Sequence, residues 1–448
     1  MHSEMHLEWL MKPLHGILAA VLAAVLMAPT QDASAHRTRT ADPTVISDWN
    51  QIAVTALAAD AATTPARKAG IEGYLYLAYM HAAMYNAVVG IEGRFQPYRF
   101  RAHPPRQASS EAAAVAAAHQ VLATYFPEQQ ATVDAAYVDS LAGIPDGEAK
   151  DNGIAYGELA AGTLIAQRAT DGRNDPSIQY TRAPEPGIWR PTPPALAPFT
   201  APWLGFVDPL LVRSGAQFDP GPPPGLTSWR YTRDFQEVKD YGSVDSAKRT
   251  AQQTETALFW SGNPIAQFTA ALRDQADLRH LDIAESARMF AAVHMSLADA
   301  AISIWHSKYV YALWRPITAI QLADTDGNPR TDADPDWTSL FAAPPYPEYV
   351  SGYNGVMGAF TQSLQETLGT RYLRLTFTST AFPADDPRAT RVYRTGREAR
   401  SELIDARVWL GIHFRFADTA AAVMGQRVGH YALGHYFHPR HHHHWWWE

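Results

Sequence analysis

Residues 283–316 read IAESARMFAAVHMSLADAAISIWHSKYVYALWRP, an apolar run of helical length that ends in two cations and a proline. The spacing predicts a helix over 283–314. Seven residues at about 100° each come back to within about 20° of the start, so Lys308 and Arg315 are expected on one helix face, two turns apart. Pro316 is expected to stop or kink the helix beside Arg315. Two readings of the pair stand. Both side chains could snorkel from a solvated face. Alternatively they are buried with the apolar flanks, where like charges repel unless an anion sits between them.

The same helical reading extends outward in both directions. Tyr74–Val89, Ser110–Tyr125 and Gly153–Thr170 are Ala/Leu-rich and of helical length, and the Ser109-Ser110-Glu111 run opens the second with an N-cap and an acidic first turn. Further helices are expected from about Thr232, over Ser246–Trp260, Ile265–Leu278, Gly352–Leu368 and Glu398–Leu410, and from Thr419 to the end. Arg371–Thr380 is the one run with strand-like alternation. Between the helical groups lies Asp171–Pro224, which holds 13 of the 32 prolines and cannot be regular helix. Tyr180, Trp189, Phe199, Trp203 and Phe206 within it point to a packed wrap rather than a loose linker. The fold class is therefore all-α, a multi-helix bundle with a long proline-rich wrap.

Two more segments combine polar chemistry with apolar surroundings. Residues 344–355 read PPYPEYVSGYNG, a proline loop that delivers Ser351-Gly352 to a helix start, where free N–H groups and a glycine suit an oxyanion. Ser351 has an equally simple reading as an N-cap. Residues 407–418 read RVWLGIHFRFAD. Arg407 and His413 are about 240° apart on a continuous helix, but Gly411 is expected to end that helix and turn His413 toward whatever Arg407 faces. His413 is either a core histidine or a ligand, and Asp418 is read as the N-cap of the last helix rather than as a catalytic acid. Together the three segments offer two arginines, a lysine, a hydroxyl, backbone N–H groups and an imidazole, a donor set for a tetrahedral oxyanion such as phosphate or vanadate.

The order and spacing of these segments resemble the three-part signature of the vanadium-dependent haloperoxidase and type 2 phosphatidic acid phosphatase superfamily. Lys308, six residues and Arg315-Pro316 match the first part in full. The second matches at Ser351 and Gly352, with Val350 in place of proline and Tyr353 in place of histidine. The third matches at Arg407 and His413, with Ala406 in place of serine and Asp418 one residue late. The resemblance implies a bundle of the vanadium chloroperoxidase type and vanadate as cofactor. Lys308, Arg315, Ser351, Gly352 and Arg407 would bind its oxygens, and His413 would be the metal ligand, or the phosphorylated nucleophile of a phosphatase. Trp305 and Tyr346 would line a halide or substrate pocket, or else pack as core aromatics. His413, Tyr353 and Lys308 are the expected catalytic residues. Tyr353 stands where the family's proton-handling histidine belongs. Its reference pKa of about 10, against about 6.5, makes it a poor base near neutrality. General acid–base help is worth about 10²–10⁴ in rate, so impaired turnover is expected.

Three functions stay open at this stage. They are peroxide-dependent halide oxidation with a small organic substrate, an acid phosphatase acting through His413, and a non-redox homologue that binds or rearranges a small organic compound. Composition narrows the field around them. The formal charge is −8, from 37 basic and 45 acidic residues, which argues against nucleic acid as a partner. Zero cysteines exclude disulfides and thiolate chemistry. Lys12, the apolar run 16–28 and the Ala33-Ser34-Ala35 site read as a secretory signal, so a secreted or extracytoplasmic protein is expected, with no membrane span once the signal is removed. The expected organisation is a signal peptide over 1–35, an N-terminal helical region plus wrap over 36–230, a C-terminal bundle with the oxyanion site over 231–437, and a His/Trp-rich, tag-like tail over 438–448. A homo-oligomer stays open.

Overall fold

Apolar side chains on every face of a helix force it into the centre of a fold, and two helices here have that character. The computed structural model describes residues 41–63 and 70–440, so the expected signal peptide and residues 441–448 lie outside the described residues. Its helices are α1 (Thr44–Thr63), α2 (Gly73–Glu92), α3 (Ser110–Tyr125), α4 (Gln130–Ala142), α5 (Glu148–Gln167), α6 (Trp229–Tyr241) and α7 (Ala251–Phe259). They continue with α8 (Pro264–Arg279), α9 (Ile283–Tyr311), α10 (Pro316–Gln321), α11 (Gly352–Leu368), α12 (Gly396–Trp409) and α13 (Arg415–His435). One antiparallel hairpin, β1 (Tyr372–Thr378) with β2 (Thr390–Thr395), completes the described regular structure apart from short 3₁₀ turns. The protein is all-α, as its sequence predicts.

The central pair is α2, buried from Gly73 to Gly90, and α9, buried along most of its length. By length and composition α9 is apolar enough to cross a membrane, but it lies inside the protein. Helices α11 and α13 meet through small residues. A Cβ on Gly425 would overlap the Gly355 carbonyl oxygen, and one on Gly358 would overlap the Ala422 carbonyl. Backbones this close seat the first turn of α11 against that of α13. α3 begins at its expected cap, with the Ser109 side chain accepting from Ala112 N–H at 3.2 Å.

The wrap is packed down by side-chain and backbone bonds rather than by regular structure. Asp299, buried in α9, accepts the N–H groups of Leu210, Leu211 and Val212 at 2.8, 2.7 and 2.8 Å. Trp189 and Phe199 are buried, Tyr180 and Trp203 half-buried, and Phe206 is exposed. The wrap also shortens the expected 283–314 helix. Trp189 N–H bonds Ala312 O, Trp314 N–H bonds Gly187 O, and Ala312 takes a left-handed conformation with φ 48°. Helix α9 therefore stops at Tyr311, and Arg315 sits outside it as the residue before α10. Lys308 and Arg315 do not share one helix face; competing backbone pairing from the wrap ends the helix three residues early. At the other end of the chain, His438 and Arg440 pair through their backbones with Gln96 and Arg94, which ties the first residues of the expected loose tail to the body.

Candidate oxyanion site

The end of α9, the proline loop before α11 and the turn between α12 and α13 converge on one buried cluster. Lys308, Arg315, Ser351 and His413 have at most 1% of their surface exposed, and Arg407 has 7%. Lys308 Nζ donates to Pro347 O at 2.6 Å and Glu348 O at 3.0 Å, two of its three N–H groups. Arg315 donates to the carbonyls of Tyr346, Ile412 and Pro344 at 2.9, 2.8 and 3.2 Å, and its Nη1 lies 3.3 Å from His413 Nε2. Arg407 bonds Trp260 O at 3.0 Å, while its buried Nε–H has no partner among the described residues. Burial pushes the Lys308 ammonium well below its ordinary pKa, with Arg315 adding repulsion, and it pushes Arg315 down to about 10. Three cations held this way favour an anion.

The turn at Gly411 has the expected geometry, with φ 77°, and it directs His413 back onto Arg315. Its imidazole is held by Glu348, for which the sequence reading had assigned no role. Glu348 Oε1 lies 3.0 Å from His413 Nδ1 and accepts Phe414 N–H at 2.9 Å. Donor counting assigns the tautomer. An arginine only donates, so Nε2 must be the acceptor facing Arg315, and Nδ1 carries the hydrogen given to Glu348. Burial raises the Glu348 pKa to about 8, with Lys308 opposing. A proton taken up there goes to Oε2, which has no partner among the described residues, so Oε1 accepts in either state. Burial and the neighbouring Arg315 hold the imidazole pKa well below its ordinary value. His413 is therefore neutral, with the Nε2 lone pair turned toward the cations.

Ser351 occupies the N-cap position of α11, yet its side chain makes no cap bond. Its hydroxyl instead lies beside the Asp418 carboxyl, whose Oδ1 accepts Asn354 Nδ2 at 2.8 Å. Asp418 is not the N-cap it resembled in sequence. Helix α13 begins at Arg415, which places Asp418 inside the first turn, buried, with burial raising its pKa to about 7. Gly352 opens α11, and a Cβ there would meet nothing nearer than Trp305 Cζ3 at 3.8 Å, so the space beside this helix start is clear.

A cavity of about 320 Å³ adjoins the cluster, walled by Tyr74, Trp305, Phe341, Tyr346, Tyr353 and Arg407 among others. Lys308, Arg315, Ser351 and His413 are not part of its wall and lie deeper. Trp305 and Tyr346 meet with ring centroids 4.8 Å apart, and the Tyr346 face covers both Lys308 Nζ and the Arg315 guanidinium at 4.9 Å. Tyr353 lies under Arg407 at 5.5 Å, but its hydroxyl is donated to Gln267 Oε1. Burial pushes its pKa above the ordinary phenol value, with Arg407 opposing. Two further polar groups carry no signal in the sequence, Gln267 behind Tyr353 and, in the cavity wall, the buried Tyr74 hydroxyl, which has no partner among the described residues. Neither carries a motif.

Residues 288–441 match the family model of the VCPO second helical-bundle domain. That stretch carries Lys308, Arg315, Ser351, Arg407 and His413, and the match supports kinship with the vanadium-dependent haloperoxidase superfamily. Vanadium chloroperoxidase of Curvularia inaequalis is 28% identical over 238 residues, 40% of this chain and 38% of the relative, so the match spans well under half of that protein. Among solved structures, a bacterial vanadium-dependent iodoperoxidase aligns over 88% of this chain and 97% of its own, with TM-score 0.71 and 24% identity. A bacterial vanadium-dependent chloroperoxidase in its holo form aligns over 84% and 94%, with TM-score 0.64 and 18% identity. These two likenesses concern the fold. The superfamily's cofactor, vanadate, fits the residues present. The orphaned Arg407 Nε–H, the remaining Lys308 N–H, the clear space at Gly352 and the His413 Nε2 lone pair are the donors and ligand that a compact oxyanion of a metal needs.

Proposed function

We propose that this protein is a vanadate-binding, haloperoxidase-like oxidoreductase that uses peroxide and a halide, with turnover limited by Tyr353. The observation that carries this reading is His413. It is neutral, fixed by Glu348, and presents Nε2 among three buried cations. His413 Nε2 would ligate vanadium, Lys308, Arg315 and Arg407 would neutralise the oxygens, and the Ser351 hydroxyl and Gly352 N–H would add hydrogen bonds. The chemistry supplied by bound vanadate is Lewis-acid activation of peroxide for two-electron oxidation of a halide. Glu348 keeps the proton on Nδ1 so that Nε2 stays unprotonated, its lone pair turned toward Arg315. Trp305 and Tyr346 shield the cluster from water and offer a cavity wall for halide and organic substrate. Export from the cytoplasm belongs to the same proposal and rests on the pattern of residues 1–35.

Reconstitution with vanadate, with bound vanadium quantified, followed by bromination of an activated phenol with peroxide, tests this reading. Halide-dependent turnover that needs bound vanadium supports it. Bound vanadium without turnover removes it in favour of a second reading, anion binding without redox catalysis. The tie between the Tyr353 hydroxyl and Gln267 favours that alternative, because it leaves no proton relay at the family's histidine position. The same cradle suits phosphate, and hydrolysis of an aryl phosphate that is lost in His413→Ala would mark the phosphatase reading.

A further inference from the structure

A second cavity, of about 450 Å³, lies within the wrap and apart from the oxyanion cluster. Its walls include Tyr180, Trp189, Phe199 and Trp203, together with Arg182, whose guanidinium donates to Val310 O at 2.7 Å, and Arg190, which donates to Glu185 O at 3.3 Å. Tyr180, Trp189 and Phe199 contact one another with centroids 5.3 to 5.8 Å apart, which forms an aromatic cage. Five of the lining residues are prolines, so the cage is preformed and little backbone entropy is lost on binding. Two lining side chains hold buried donors without partners among the described residues, Trp189 Nε1–H and Arg190 Nε–H. Buried donors left unpaired are costly, and an acceptor brought by a ligand would satisfy them. The acidic member of the lining, Asp175, already accepts Ser177 N–H at 2.8 Å.

We infer that this pocket binds a planar aromatic carboxylate. The flat apolar walls take the ring, the guanidinium of Arg190 takes the carboxylate, and Arg182 adds positive charge at the same cavity. The volume suits one or two fused rings. The site is separate from the oxyanion cavity but shares a wall with it. Phe199 and Pro202 line the aromatic pocket, whereas Thr200 between them lines the other and bonds Pro345 O and Trp305 Nε1.

Calorimetric titration of the full chain with 2-naphthoate tests the inference without depending on any activity. Saturable binding at one site is expected. It should be unchanged by excess orthophosphate, at least tenfold weaker for neutral 2-naphthamide, and at least tenfold weaker in Arg190→Gln and in Trp203→Ala. Absence of saturable binding would overturn the inference, as would equal affinity for the amide. Displacement by orthophosphate with Arg190→Gln unaffected would also overturn it, because the anion would then occupy the other cavity. The amide comparison uses the unaltered protein and stands even if a variant fails to fold.

Discussion

Glu348 sets what His413 can do. With its Oε1 removed, Nδ1 loses its acceptor and the imidazole is free to turn or to move its hydrogen to Nε2, the atom that would ligate vanadium in the proposed function. Glu348→Ala is expected to weaken vanadate binding by about 10- to 100-fold. Glu348→Gln keeps an acceptor oxygen and should recover most of that loss. Equilibrium dialysis with vanadium analysis reads both variants, and equal weakening in the two would contradict a positioning role. Tyr353 calls for the opposite experiment. A histidine there is too short to keep the bond to Gln267 and places a titratable nitrogen beside the cradle. Tyr353→His should raise peroxide-dependent bromination by about 10² or more. An unchanged rate in protein with vanadium bound would show that Tyr353 is not what limits turnover. The three cations and His413 were legible in the sequence because basic residues are conspicuous in apolar segments. Glu348 was not, since a carboxylate between Pro347 and Tyr349 looks like solvent-facing loop until the turn at Gly411 brings His413 onto it.

Where two elements meet, the sequence was clear about helices and silent about their contacts. The expected bounds of α3 and α11 agree with the structure because each begins at a capping position and ends where its apolar run ends. The end of α9 was misplaced because it depends on Gly187 and Trp189, more than a hundred positions away. The glycine approach of α11 to α13 carries no periodic signal either. Gly425→Ala should push these helices apart and cost about 1–3 kcal/mol, read by urea denaturation. A loss below a few tenths would mean the approach is looser than described. A second contact joins α1, α2, α8 and α9. Arg273 donates to Asn50 Oδ1 at 2.6 Å, so the Asn50 amide donates to His81 Nε2 at 2.9 Å and His294 Nε2 at 3.0 Å, and both imidazoles are neutral. Burial lowers the His294 pKa to about 3 and holds that of His81 well below its ordinary value. The unfolded chain takes up these protons near pH 6.5 and the folded one does not. Stability from the pair is therefore complete above about pH 6.5 and is lost as pH falls toward 3, by about 1.4 kcal/mol per unit for each histidine. His294→Gln should lower stability at pH 7 yet flatten the slope between pH 6 and 4 by about that amount, and an unaltered slope would contradict the assignment.

Across the whole molecule, a chain of net charge −8 concentrates Lys308, Arg315 and Arg407 in one dry place. Burial lowers the pKa of each of them there. Trp260 after α7, the proline loop and the Gly411 turn contribute backbone carbonyls that hold these side chains together from segments far apart in sequence. Binding of an oxyanion, as proposed, would offset the desolvation of all three cations at once. The most direct measurement is vanadium content after equilibrium dialysis against vanadate, for the unaltered protein, His413→Ala and Arg407→Ala. About one vanadium per chain is expected in the first, with affinity reduced at least 100-fold in both variants. Retention that is equal in all three proteins, or absent from the unaltered one, would contradict a vanadate cradle at these residues.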